Sequence, residues 1–314
     1  RTLPTTMVME EMPTPRQAYV LNRGQYDAHG DKVDAGVPEQ LIAPWPKDAP
    51  KNRLGLARWF LQPQHPLTAR VVVNRFWAQL FGVGIVKSVE DFGTQGEWPS
   101  HPEVLDTLAR DFVDGGWNVK GFFKSVVLSS TYRQTSDASP ELYARDPENR
   151  LLARGPRVRL TSEQIRDQAL AVSGLLAEKI GGPSVRPYQP ESLYKGIVVD
   201  APYPSTTWEL GKGDEIYRRS LYTFWKRTVP HPAMLTFDSP DREFCSARRS
   251  RTNTPLQALV LWNETGYLES SRKLGERMLK EGGADDTSRA TFAFRLATGR
   301  IPRAEESAVL TRTY

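Results

Sequence analysis

Cysteine is all but missing from this chain of 314 residues: Cys245 stands alone. A single thiol excludes an internal disulfide, a CxxC zinc site, an iron–sulfur cluster and a CxxCH haem attachment within the chain. Histidine is scarce as well. His29, His65, His101 and His231 lie far apart with no HExxH or paired-ligand spacing, so the sequence predicts no metal site. Long hydrophobic runs are absent, and no uncharged apolar stretch reaches the roughly 18 residues of a membrane span. Nor does one sign of charge dominate. Lys and Arg number 42 against 37 Asp and Glu, a net charge of +5, which argues against nucleic acid as a partner.

What is present is ordinary for a folded chain: 39% hydrophobic, 25% charged and 10% aromatic residues. The length allows one large domain or two lobes. The chain opens at Arg1 without an initiator Met and closes at Tyr314 inside a helix-like pattern, which predicts a piece of a longer protein. Pro and Gly crowd the first fifty residues, where Gln17 to Leu21 is the one strand candidate. Tyr26, Val37, Leu41, Ile42 and Trp45 offer apolar anchors there. Residues 1–50 thus read as an extended arm packed on a mainly helical body, 51–314, divisible at about residue 182 into two lobes.

Helical spacing starts at Asn52, with Leu54, Ala57 and Leu61, and stops at Pro63. A second helix is predicted over about 67–81, with Phe76, Trp77 and Phe81 in the core and Gly82 as its exit. Ser100 and Glu103 read as a capping box before a stripe of Leu105, Leu108 and Phe112. A helix through Phe122 and Val126 follows. Thr161 with Gln164 caps another that is expected to run to Gly181-Gly182-Pro183. Thr254, Pro255 and Gln257 start one expected to reach about Leu279, and two shorter helices close the chain. Between them, Tyr188, Tyr194, Tyr203, Trp208, Tyr217, Tyr222, Phe224 and Trp225 crowd a Pro-rich zone, with Ser220 to Trp225 a strand candidate. The predicted class is mainly α: an irregular helical domain with long ordered loops and at most a few short strands.

The run HPLTARVVVNRFWAQLFGVGIVKSVEDFGTQGEWPSHPEVLDTLA (65–109) resembles a C-terminal domain of unknown function in large extracytoplasmic planctomycete proteins. STYRQTS (130–136), RLTSEQIRDQALAVSGLL (159–176), IGGPSV (180–185), RTNTPLQALVLWN (251–263) and NRGQYDAHGDKVDAGVP (22–38) are similar to the same family. The resemblance implies an extracytoplasmic (periplasmic or secreted) setting. It also implies a parent protein that commonly carries a cytochrome c domain upstream, where any haem would sit. It carries over no catalytic residues and no cofactor for this chain.

Three constellations bear chemistry. Arg70 and Asn74 share a helix face at i, i+4, with Asp91, Glu97 and His101 following in a loop and helix start. Together they offer general acid/base work, or else caps and internal ion pairs. Glu163, Arg166 and Asp167 share the start of a helix, where carboxylates pair for glycoside hydrolysis or simply favour the helix dipole. Arg248, Arg249 and Arg251 precede the Thr254-capped helix, an arrangement suited to an anion, unless Asp238 and Asp241 hold the arginines. Cys245 beside them offers a thiolate if exposed, with His231 its candidate partner, although a lone Cys is more often buried. Two readings follow. One is a module that scaffolds the upstream domains of its own polypeptide and binds anionic polysaccharide at Arg248, Arg249 and Arg251. The other is a polysaccharide hydrolase or lyase using His101, Asp91 and Glu97 with Arg70.

Overall fold

The computed structural model describes residues 5–194 and 208–313; Tyr203, Tyr314 and the side chain of Tyr194 lie outside the description. Eleven α-helices and one two-stranded ribbon occur among the described residues, so the fold is mainly α, as the helical spacing predicts. No helix among them is long and apolar enough to cross a membrane. The chain forms two compact units, Arg1–Val158 and Arg159–Tyr314.

The first unit begins with strands β1 (Ala18–Leu21) and β2 (His29–Val33), paired antiparallel from Ala18 opposite Val33 to Leu21 opposite His29. Only β1 is anticipated by the sequence, because β2 reads HGDKV and lacks alternating apolar residues. Tyr19 stacks on His29 at 4.3 Å, and the ribbon is otherwise solvent-exposed. Of the arm's candidate anchors, Tyr26 and Leu41 are exposed while Val37, Ile42 and Trp45 are half-buried. Trp59 Nε1 donates to Ala43 O at 2.8 Å and so ties that stretch to α1 (Arg53–Phe60). Gly55 is required there, since a Cβ would collide with Pro50 O and the Trp45 ring.

Asn52 caps α1 by accepting from Leu54 N and Gly55 N. The start of α2 (Thr68–Phe81) is served by an imidazole: His65 Nδ1 accepts from Leu67 N and Thr68 N at 3.3 and 3.2 Å. Burial pushes the His65 pKa down, which keeps that nitrogen free to accept. Gly82, at φ 85°, ends α2 as predicted. Helices α3 (Pro102–Asp114), α4 (Val119–Leu128) and α5 (Pro140–Arg145) follow. Ser100 does not cap α3. Its hydroxyl lies against Ile85 O and His101 Nδ1, and His101 occupies the cap position without a side-chain bond to the helix backbone.

Val73, Trp77 and Phe81 of α2 close on Ile85, Val86, Leu105, Phe112, Phe122 and Val126. Each of the large side chains contributes roughly 1.5–3 kcal/mol of burial free energy. Asn74, with no exposed surface, clamps the α2–α3 connection by exchanging two 2.9 Å bonds with the Val86 backbone.

In the second unit α6 (Ser162–Ser173) has the predicted Thr161–Gln164 capping box. It stops at Gly174, in the left-handed region at φ 79°, well before the expected stop at Gly181. Helices α7 (Pro232–Thr236), α8 (Pro255–Asn263), α9 (Thr265–Glu281), α10 (Asp286–Thr298) and α11 (Ala304–Thr313) complete the unit. The single helix expected from Thr254 to Leu279 is two, because Glu264 leaves helical angles and its carboxylate caps α9 by accepting from Tyr267 N at 3.0 Å. The strand expected at Ser220 to Trp225 is instead a 3-10 turn, Ser220–Tyr222, flanked by single bridges from Ala177 to Arg218 and Val185 to Thr223. Ile165 and Ala169 of α6, Val260 of α8, Ala233, Phe237 and Tyr267 make a small apolar cluster.

Candidate functional site

In the first unit the predicted acid/base set is not drawn together by hydrogen bonds. Arg70 Nε pairs with Asp106 at 2.7 Å and Nη1 donates to Pro66 O. The bond from Arg70 Nε holds the Asp106 carboxyl below the usual carboxylate range. Asp91 folds its own loop, accepting from Gly93 N at 2.7 Å through its carboxylate and from the Ser88 hydroxyl through its carbonyl. Glu97 is exposed and its backbone N–H donates to that same Ser88 hydroxyl. His101 lies against Ser100 Oγ at 3.0 Å.

The other two constellations meet each other in the second unit. Arg249 Nη1 reaches both oxygens of Glu163, at 2.7 and 3.0 Å. Burial would raise the Glu163 carboxyl, but its own backbone N–H, Arg249 and the Ser162 hydroxyl hold it below its ordinary value. Arg248 and Arg251 are exposed. Asp238 accepts from Thr252 N and its hydroxyl, and Asp241 from Glu243 N. Gln257, almost fully buried, pins the start of α8 by accepting from Thr254 N and donating to Thr236 O. Cys245 is exposed, contrary to the expectation for a lone Cys, and His231 bonds elsewhere.

Arg166 and Asp167 turn inward from α6 and brace the aromatic zone. Arg166 donates to Ile216 O at 2.6 Å, Arg218 O at 2.9 Å and Ser220 Oγ at 3.2 Å. Asp167 accepts from Ser220 N at 2.7 Å. Guanidinium donors thus do for this irregular backbone what a strand ladder would otherwise do. Arg218 acts the same way on the carbonyls of Lys179, Gly181 and Pro183 while stacking over Tyr222.

Behind this brace lies a cavity of about 20 Å³, walled by α6, α7, α9 and the segments carrying Tyr188 and Tyr217. That volume holds roughly one water or hydroxyl group. His231, at the start of α7 and 5% exposed, donates from Nε2 to Tyr188 O at 2.8 Å. Burial pushes its pKa down to about 4, so the ring is neutral and Nδ1 carries a lone pair. Tyr217 donates to Glu269 Oε1 at 2.7 Å, which raises its phenol well above the usual value. Burial, with Glu264 nearby, raises Tyr267 likewise. His231 Nδ1, Glu269 Oε2 and Ser270 Oγ are buried and have no hydrogen-bond partner among the described residues. A buried polar atom left so costs about 1–3 kcal/mol, and three such atoms belong to residues that line this one cavity.

A wider groove of about 610 Å³ runs along α10 past Thr287, Thr291 and Arg295, and none of these unpartnered atoms lines it. Among the described residues no group of three or more His, Cys, Asp or Glu is placed to hold a metal ion.

Sequence reasoning paired Arg166 with Asp167 and placed Tyr188 and Tyr217 in one aromatic zone without joining either group to the other or to His231, and missed Glu264, Glu269 and Ser270 altogether. The signal for the last is Ser270 itself: it sits one turn after Tyr267 on the buried side of α9, where an apolar residue belongs. No curated protein and no solved structure matches the chain. Residues 52–314 match PSD1, described as a protein of unknown function (DUF1553), and the chain belongs to that family.

Proposed function

We propose that the chain is a ligand-binding module of a larger extracytoplasmic protein and that the cavity of its second unit receives part of a carbohydrate. The observation that carries this is the trio of buried, unpartnered atoms, His231 Nδ1, Glu269 Oε2 and Ser270 Oγ, on residues that line one cavity. The half-buried rings of Tyr188 and Tyr217 in the same lining suit the apolar faces of a sugar. The extracytoplasmic setting, a planctomycete source and upstream domains that include a cytochrome c rest on the sequence resemblance. In this reading the haem stays in that upstream domain, and the chain itself works without a cofactor.

Anionic polysaccharide at Arg248, Arg249 and Arg251 is the weaker form of this proposal, because Arg249 is already neutralised by Glu163. The hydrolase or lyase alternative moves to the same cavity, since a neutral imidazole beside a carboxylate and a phenol is an acid/base set. Calorimetric titration with short oligosaccharides tests the proposal. Binding that weakens in Ser270→Ala and Glu269→Gln supports it. Binding unchanged in both, or absent from the folded parent, contradicts it.

A further inference from the structure

Donors and acceptors are unevenly distributed around the cavity. The Arg166 guanidinium on its wall is already committed to Ile216 O, Arg218 O and Ser220 Oγ, with Asp167 4.0 Å away. The hydrogens of His231 Nε2 and the Tyr217 phenol go to Tyr188 O and Glu269 Oε1. The Tyr267 backbone N–H goes to Glu264 Oε2. Among the unpartnered atoms what remains is acceptor capacity, the His231 Nδ1 lone pair and Glu269 Oε2, with the Ser270 hydroxyl able to work either way; the Tyr267 phenol adds a donor to the lining. Two carboxylates, Glu264 and Glu269, line the same cavity. The hydrogen bond to Glu269 keeps the Tyr217 phenol protonated, and burial, with the Glu264 charge, does the same for Tyr267.

Resting on the carbohydrate reading above, we infer that the cavity takes the hydroxyl or hydroxymethyl edge of an uncharged sugar and turns away acidic sugars. A ligand hydroxyl gives its hydrogen to Glu269 Oε2 or His231 Nδ1 and accepts one from Ser270, so two of the three orphaned atoms find partners. A carboxylate or sulfate brings lone pairs to lone pairs and negative charge to negative charge, in a place with little water to screen either. Size works in the same direction. About 20 Å³ admits one hydroxyl-sized group, so the sugar enters by an edge and its ring stays outside against Tyr188 and Tyr217.

The experiment is titration calorimetry at pH 7 with short glucose and mannose oligomers and with the matching glucuronate and mannuronate oligomers. The expected result is uncharged oligomers binding about tenfold or more tightly than their uronates, because like charges in a partly desolvated site are strongly disfavoured. In Glu269→Gln the preference collapses as uronate binding improves, while Ser270→Ala weakens the uncharged ligand severalfold. Melting followed by circular dichroism shows that both variants are folded. Equal or tighter uronate binding overturns this inference and leaves the carbohydrate reading standing. A preference unchanged in Glu269→Gln overturns the assignment to this cavity. Failure of every oligomer with the protein folded overturns the carbohydrate reading and this inference with it.

Discussion

In the first unit, α2, α3 and α4 bring Val73, Trp77, Phe81, Leu105, Phe112, Phe122 and Val126 into one hydrocarbon interior. In the second, the buried apolar cluster is small, and Arg166, Arg218, His231, Gln257 and Ser270 share the interior with it. The difference is local. Where regular helices present apolar stripes, burial alone settles the arrangement. Where the chain is rich in Pro and aromatic residues and makes almost no ladder, its carbonyls need donors, and guanidinium groups supply them. Polar interiors of that kind are also where ligand sites are built, because a group satisfied on one side leaves capacity on the other.

Breaking each interior in turn sharpens this contrast. Trp77→Ala in the hydrocarbon core is expected to lose about 3–5 kcal/mol in urea denaturation, from lost burial plus the cavity left behind. Arg166→Met is expected to lose about 3 kcal/mol, since Ile216 O and Arg218 O lose their donor and Asp167 loses its neighbouring cation. An Arg166→Met protein as stable as the parent would mean that packing holds the second unit and the polar brace is incidental.

Acid separates the polar interior further. His231 has a folded pKa of about 4, below its ordinary value of 6.5, so the folded state binds fewer protons than the unfolded one between those values. Its contribution is therefore complete above pH 6.5 and is lost as pH falls towards 4, by up to about 3 kcal/mol. Urea midpoints across that range should fall with pH, and less so in His231→Gln. At the surface, Arg70→Ala breaks an exposed pair with Asp106 and should change stability by less than about 1 kcal/mol. A larger loss would give Arg70 a role beyond that pair.

Local signals made much of the fold legible. Asn52, Gly82 and Thr161 mark helix ends through backbone chemistry written within four residues, and each acts where the sequence placed it. Ser100 and Glu264 show the limit. Ser100 looks like a cap but turns to Ile85 O, and Glu264 looks like helix interior but starts α9. Neither outcome is visible without the neighbouring backbone. The site was less legible for a related reason: Arg249 and Glu163 are 86 residues apart, and Arg166 reaches carbonyls 50 and 52 residues away. Residue types announce what such groups can bond, and only the fold decides with what.

The central claim is that the cavity's unpartnered groups serve a ligand and not the fold, and Ser270→Ala tests it most directly. If the hydroxyl awaits a ligand, the ligand-free variant should be as stable as the parent or gain up to about 1 kcal/mol in urea denaturation, because an unsatisfied buried group has been removed. A loss of about 2 kcal/mol or more would show that the hydroxyl holds the structure together, and would contradict the account.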